Sequence, residues 1–117
     1  MALDDLKDRI PGFDLEKPLV FCGGSREFYE EMLHEYSNEN RIERLSELFK
    51  EEDWKNYQIE VHALKSTSYT FGLMKIGSMA EALEMSLKQE NTDYVKEHHG
   101  ELVDEFYNLK TIIEECL

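Results

Sequence analysis

The segment from Asp53 to Gly72 constrains the fold of this 117-residue chain more than any other stretch. Its larger side chains recur at steps of three and four residues, a spacing that places them on one face of an α-helix. The members of this first stripe are Trp54, Tyr57, Val61, Leu64, Ser68 and Phe71. A second stripe follows the same helix and consists of Ile59, His62, Lys65, Ser66 and Tyr69. The first stripe needs other helices to cover it.

The same periodicity predicts the helices that provide this cover. Residues 25–50 form two helices or one kinked arm, because the polar residues 37–40 interrupt the apolar pattern. One helix follows from Leu73 to about Gln89, and a last one of about 25 residues runs to the C-terminus. Short connections make neighbouring helices antiparallel. We therefore predict an all-α fold, an antiparallel up-and-down four-helix bundle, as a single domain over residues 1–117.

Residues 1–24 are predicted to be an N-terminal extension that packs on the bundle. Ala2 to Arg9 forms a short amphipathic helix that ends at Pro11 and Gly12. The next segment, residues 13–24, is loop-like because it contains Pro18 and two adjacent glycines. Its apolar residues are expected to cover one end of the core, namely Phe13, Leu15, Leu19, Val20 and Phe21.

Charge and composition exclude several classes of function. The formal net charge of −13 provides no basic surface for nucleic acid and disfavours anionic membranes. There is no signal peptide and no run of about 20 apolar residues, so no membrane insertion is expected. Cys22 and Cys116 lie outside any metal or redox motif and are typical of reduced thiols in a cytoplasmic protein, although a disulfide stays possible.

A metal site is not expected. Glu31 and His34 have the Glu-x-x-His spacing of carboxylate-bridged di-metal bundles, but such sites need a second pair and two further inward glutamates. His34, His98 and His99 are interpreted as surface or half-buried histidines, and His99 falls on the apolar stripe of the last helix.

His62 has neighbours suited to phosphoryl chemistry. A neutral imidazole nitrogen is available near pH 7, and Lys65 lies one turn away on the same face to balance an anion. Ser66 and Tyr69 add hydroxyl groups, and Gly72 removes side-chain bulk where another molecule could approach. The alternative, which spacing alone leaves open, is that His62 is a solvated residue on a polar face.

The run from His62 to Ser68, His-Ala-Leu-Lys-Ser-Thr-Ser, followed by Gly72, resembles the motif of histidine phosphotransfer (HPt) domains of multistep phosphorelays. The resemblance covers roughly residues 13–117. It extends to Asp53-Trp54, to Gly24 before Phe28-Tyr29, and to the segment Ala82-Leu83-Glu84. Ser66 stands where many members have glycine, and Tyr69 is bulkier than the residues often found there.

The resemblance implies that the chain is a phosphocarrier in two-component signalling and not an enzyme with its own ATP site. His62 would accept the phosphoryl group on Nε2, Lys65 would help to neutralise it, and Gly72 would leave room for the partner. The implied partners are response-regulator receiver domains, which would hold the Mg²⁺, with a hybrid sensor histidine kinase as a second candidate. The chain itself would need no cofactor.

The residues add a docking hypothesis and two alternatives. Ile59 is an apolar residue on the stripe that contains His62, which predicts a receiver-binding patch of Ile59, Ser66 and Tyr69. The main alternative function is a helical adaptor, a pseudo-HPt domain that binds a partner without phosphoryl transfer. The dimerisation domain of a histidine kinase is less suitable, because such domains usually follow their histidine with an acidic residue and here it is Ala63. The bundle is expected to be a monomer.

Overall fold

The computed structural model describes residues 2–117, which form seven α-helices and no strand. The helices are α1 Ala2–Arg9, α2 Glu16–Phe21, α3 Arg26–Asn38, α4 Arg41–Lys50, α5 Trp54–Thr70, α6 Met74–Lys88 and α7 Thr92–Cys116. The predicted all-α class is confirmed. Helices α5, α6 and α7 pack side by side, and the arm made of α3 and α4 packs against α5 and α7 to complete the bundle.

Polar side chains cap the N-termini of α3, α5 and α7. Ser25 accepts a hydrogen bond from the backbone N–H of Phe28, and Asp53 accepts one from the backbone N–H of Asn56. Asn91 does the same for the N–H of Tyr94 at the start of α7. These caps satisfy backbone donors that have no partner inside the helix. The arm is two helices, because Glu39 adopts an extended conformation between α3 and α4.

The core contains one polar connection between three helices. His99 of α7 is buried, and its Nδ1 lies 2.9 Å from the hydroxyl of Tyr57 on α5. Its Nε2 lies 3.3 Å from the hydroxyl of Ser46 on α4, and the Phe49 ring stacks on the imidazole at 4.1 Å between centroids. Burial lowers the pKa of His99, which favours the neutral ring. His99 is therefore a structural residue.

The N-terminal extension packs on the bundle through α1, whose Leu3 and Leu6 are fully buried. This helix lies against α7, and Arg9 forms an ion pair with Glu115 at 2.6 Å. No helix within residues 2–117 is long and apolar enough to cross a lipid bilayer.

The expectation of a loop over residues 13–24 was wrong in part, because Glu16–Phe21 forms α2. Pro18 is tolerated because it lies in the first turn, where a backbone N–H has no partner within the helix. The helical spacing turns Leu15 and Leu19 toward the core. Val20 and Phe21 are each 79% exposed, so the prediction that they cover the core was also wrong.

Gly72 ends α5 in a left-handed conformation, with φ of +79°. Its N–H donates to the carbonyl of Tyr69, and the N–H of Leu73 donates to the carbonyl of Ser68, which is the Schellman arrangement. The N-terminal extension passes directly over this turn. The N–H of Asp14 donates to the Gly72 carbonyl at 2.9 Å, and a Cβ on Gly72 would lie 1.7 Å from the carbonyl oxygen of Asp14.

We predict that Gly72→Ala lowers the free energy of unfolding by roughly 2 to 4 kcal/mol, since it combines left-handed backbone strain with overpacking against Asp14. Gly24→Ala is the matched control. Gly24 has φ of +81°, but no atom lies within 4 Å of an added Cβ, so only the strain of about 1 to 2 kcal/mol is expected. Urea denaturation measures both. Equal losses in the two variants would contradict the close contact with Asp14.

Candidate functional site

The second stripe of α5 lies on the outer side of the bundle. Ile59 and Ser66 are exposed, and the His62 side chain is 57% exposed. Lys65 and Tyr69 are half-buried, because they lean toward α6. The first stripe faces inward, with Tyr57, Val61, Leu64, Ser68 and Phe71 buried and Trp54 half-buried.

Glu84 of α6 joins the two residues that the sequence singled out for chemistry. Its carboxylate is only 3% exposed. One oxygen, Oε2, lies 2.5 Å from Nδ1 of His62, and the other, Oε1, accepts a hydrogen bond from the Lys65 ammonium at 2.6 Å. His62 and Lys65 are thus held through one shared carboxylate on the neighbouring helix.

The ionisation of Glu84 decides which nitrogen of His62 is reactive. Burial raises the pKa of this carboxyl group, but the hydrogen bonds from Lys65 and His62 outweigh burial and lower the pKa overall. A carboxylate has no proton to donate, so Nδ1 of His62 must carry the hydrogen of this bond. The other nitrogen, Nε2, then has a free lone pair, and it makes no hydrogen bond within residues 2–117. A nucleophilic nitrogen is thereby available on an exposed ring.

Two further features lie beside Glu84. Lys88 lies one turn after Glu84, and its ammonium is 3.8 Å from Oε2. An open depression beside the imidazole is lined by Lys55, Gln58, Ile59, His62 and Glu84.

Tyr69 is held in place more firmly than an exposed docking residue would be. Its ring covers Gly77 of α6, where an added Cβ would lie 2.5 Å from the ring carbons. Its hydroxyl donates to Glu81 at 2.6 Å, and burial, followed by this hydrogen bond, raises the pKa of Tyr69 to about 12. The phenol is therefore neutral, and only part of the ring faces outward. Ser66 is exposed one turn from His62, on the same face.

Gly72 does not adjoin His62. It lies ten residues further along, roughly 15 Å at the helical rise of 1.5 Å per residue, and it is buried under the backbone of Asp14. The space that this glycine provides is filled by the chain itself. The expected role of Gly72 in partner access therefore needs correction. Gly72 instead allows the left-handed turn at the end of α5 and the close approach of the Asp14 backbone.

Sequence reasoning missed Glu84 as the partner of His62 and Lys65, and it did not single out Lys88. The sequence pointed to Glu84 only as part of the segment Ala82-Leu83-Glu84, which resembles the family. The sequence feature that could have identified Glu84 is an acidic residue directly after the core residue Leu83, on a helix that must pack against α5. Glu31 and His34 stay apart from this site, and within residues 2–117 no three His, Cys, Asp or Glu side chains converge as metal ligands.

The family model for the Hpt domain matches residues 27–115, which is most of the chain. The chain belongs to the HPt domain family, and this supports a role in two-component phosphorelay signalling. No curated protein and no solved structure shows a significant match to this sequence.

We predict that Glu84→Gln shifts the neutral His62 ring toward the Nε2–H tautomer. The amide offers one acceptor oxygen in place of two, so His62 and Lys65 compete for it. Long-range ¹H–¹⁵N spectra at pH 8 would report the tautomer, with the Nδ1–H form dominant in the unchanged protein. Glu81→Gln is the control. Glu81 lies on the same helix and accepts a hydrogen bond from Tyr69, so its replacement should leave the tautomer of His62 unchanged. A dominant Nε2–H form in the unchanged protein would contradict the assignment.

Proposed function

We propose that this protein is a phosphocarrier that accepts a phosphoryl group on Nε2 of His62 and exchanges it with an aspartate of receiver domains. The observation that carries the proposal is the pairing of an exposed imidazole with a buried, ionised carboxylate at Nδ1. That pairing keeps the proton on the inner nitrogen and the lone pair on the outer one. Membership of the HPt family supports the same reaction class.

The transfer of the phosphoryl group needs no additional acid or base. The Nε2 lone pair attacks the phosphorus of an aspartyl phosphate, the N–P bond forms, and the P–O bond to the aspartate breaks. The aspartate leaves with that electron pair as a carboxylate. Nδ1 keeps its proton, so the phosphorylated ring carries a positive charge, which the Glu84 carboxylate stabilises at 2.5 Å. The reverse step follows the same route, with the receiver aspartate as nucleophile.

Lys65 has two functions in this proposal. Its ammonium holds Glu84 in the ionised form, and its charge lies on the same helix face as His62, where it partly neutralises the phosphoryl oxygens. The receiver domain holds the Mg²⁺ that positions its own aspartate, and the carrier contributes no cofactor. We therefore propose a monomeric cytoplasmic carrier with no ATP-dependent activity of its own, serving receivers and a hybrid sensor histidine kinase.

The receiver would dock on the exposed face around His62. Ile59 lies three residues before the histidine and beside the open depression, so it offers an apolar contact next to the reacting nitrogen. Ser66, one turn after His62, and the outer part of Tyr69 extend this face toward the end of α5. A docking face with an apolar centre and polar edges is typical of transient protein–protein contacts.

Transfer from a phosphorylated receiver domain tests the proposal. Incubation with a ³²P-labelled receiver and Mg²⁺ should place an acid-labile label on this protein, and His62→Gln should abolish it. His34→Gln is the matched control, since this half-buried histidine lies on α3 and should leave labelling intact. Equal labelling of His62→Gln would refute the assignment. Stable receiver binding without label would instead support the adaptor function.

We predict that Ile59→Lys slows transfer from the receiver at least tenfold, because it places a charge in the apolar centre of the docking face. Ile59 is exposed, so the free energy of unfolding should change by less than about 0.5 kcal/mol. Met74→Lys is the matched control. Met74 is an exposed apolar residue at the start of α6, and its replacement should leave the transfer rate unchanged. Stopped-flow or quench kinetics and urea denaturation measure both effects. An unfolded Ile59→Lys protein, or an unchanged rate, would remove Ile59 from the docking face.

A further inference from the structure

We propose that Lys88 is a second cationic residue of the phosphoryl site and binds the phosphoryl oxygens once Nε2 of His62 is phosphorylated. The inference rests on the proposed function of His62 and adds a residue that the sequence motif does not contain. Lys88 is here a positioning and binding residue, because it forms and breaks no covalent bond.

The two lysines near His62 differ in how firmly they are held. The Lys65 side chain is 22% exposed, and its ammonium is bonded to Glu84 at 2.6 Å. The Lys88 side chain is 57% exposed, and its ammonium lies 3.8 Å from Glu84, beyond hydrogen-bonding distance. Lys65 is thus committed to an existing partner, whereas Lys88 is free to reorient at little cost.

Lys88 lies beside the carboxylate oxygen that holds His62. Its ammonium is nearest to Oε2 of Glu84, which is the oxygen that holds Nδ1 of His62. The phosphoryl group would be added to Nε2, the other nitrogen of the same ring. Glu84 and Lys88 are one helical turn apart on the same face of α6, and the flexible stem of Lys88 lets its ammonium move from Glu84 toward the phosphoryl oxygens.

The charge balance of the cluster leaves one cation without an equal partner. Glu84 supplies one negative charge against the two ammonium groups of Lys65 and Lys88. The chain as a whole has 26 acidic and 13 basic residues, so a surplus of positive charge at one histidine is unlike its average surface. A phosphoryl group with a charge near −2 provides a stronger partner for Lys88 than a carboxylate that is already shared.

Phosphorus NMR of the phosphorylated protein tests this role. The ammonia derivative of phosphate, phosphoramidate, is the donor: its P–N bond breaks, ammonia leaves with the electron pair and a proton, and the N–P bond to His62 forms. A nearby cation favours the fully ionised phosphoryl group, so Lys88→Gln should raise the pKa of the phosphoryl group by about 0.3 to 0.6 unit at low salt. The shift should shrink in 0.5 M NaCl.

Two control variants make the outcome decisive. Lys88→Arg keeps the charge and should restore the phosphoryl pKa. Lys75→Gln removes an exposed lysine at the far end of α6, paired with Glu105, and should leave that pKa unchanged. Identical phosphoryl titrations of the unchanged protein and Lys88→Gln, with both proteins folded by circular dichroism, would overturn the inference while leaving phosphorylation of His62 intact. Absence of phosphohistidine in the unchanged protein, with phosphoramidate and with a phosphorylated receiver, would overturn both proposals.

Discussion

The buried carboxylate of Glu84 is the constraint on which the site depends. A carboxylate that is 3% exposed would be costly without donors, and α5 supplies two of them from consecutive turns, His62 and Lys65. The same contacts join α5 to α6, set the tautomer of His62 and hold Lys65 beside it. Packing and reactivity therefore share one interaction, and a change that loosens one must alter the other.

The path of α6 explains why Glu84 arrives opposite His62. The chain leaves α5 through the tight turn at Gly72, and the backbone of Asp14 closes over that turn. Because the turn is short and clamped, α6 must return along α5. Ten residues separate His62 from Gly72 and twelve separate Gly72 from Glu84, so the two side chains return to nearly the same level of the bundle. The glycine thereby acts on the site at a distance, through the direction of a helix, and the N-terminal extension takes part in that placement.

The sequence was sufficient for the features that depend on local periodicity. The burial of the first stripe, the interruption of the arm at residues 37–40 and the 25-residue α7 all follow from steps of three and four residues. It was insufficient where distant segments meet. The ion pairs of Glu84 join residues 19 and 22 positions apart, and the Gly72 contact joins α5 to a segment nearly 60 residues earlier. Helix α2 was missed because Pro18 is a breaker inside a helix but acceptable in a first turn.

Under the proposed function, the balance of charge at His62 suits a carrier that must give up the phosphoryl group that it accepts. Lys65, Lys88 and the phosphorylated ring supply three positive charges, and Glu84 offsets one of them. The remaining charge of about +2 balances a phosphoryl group near −2 without exceeding it. A receiver with a bound divalent cation can then compete for the group, so neither direction of transfer is blocked by excessive stabilisation on the carrier. A more basic site would hold the phosphoryl group more tightly, and the return step would slow in proportion.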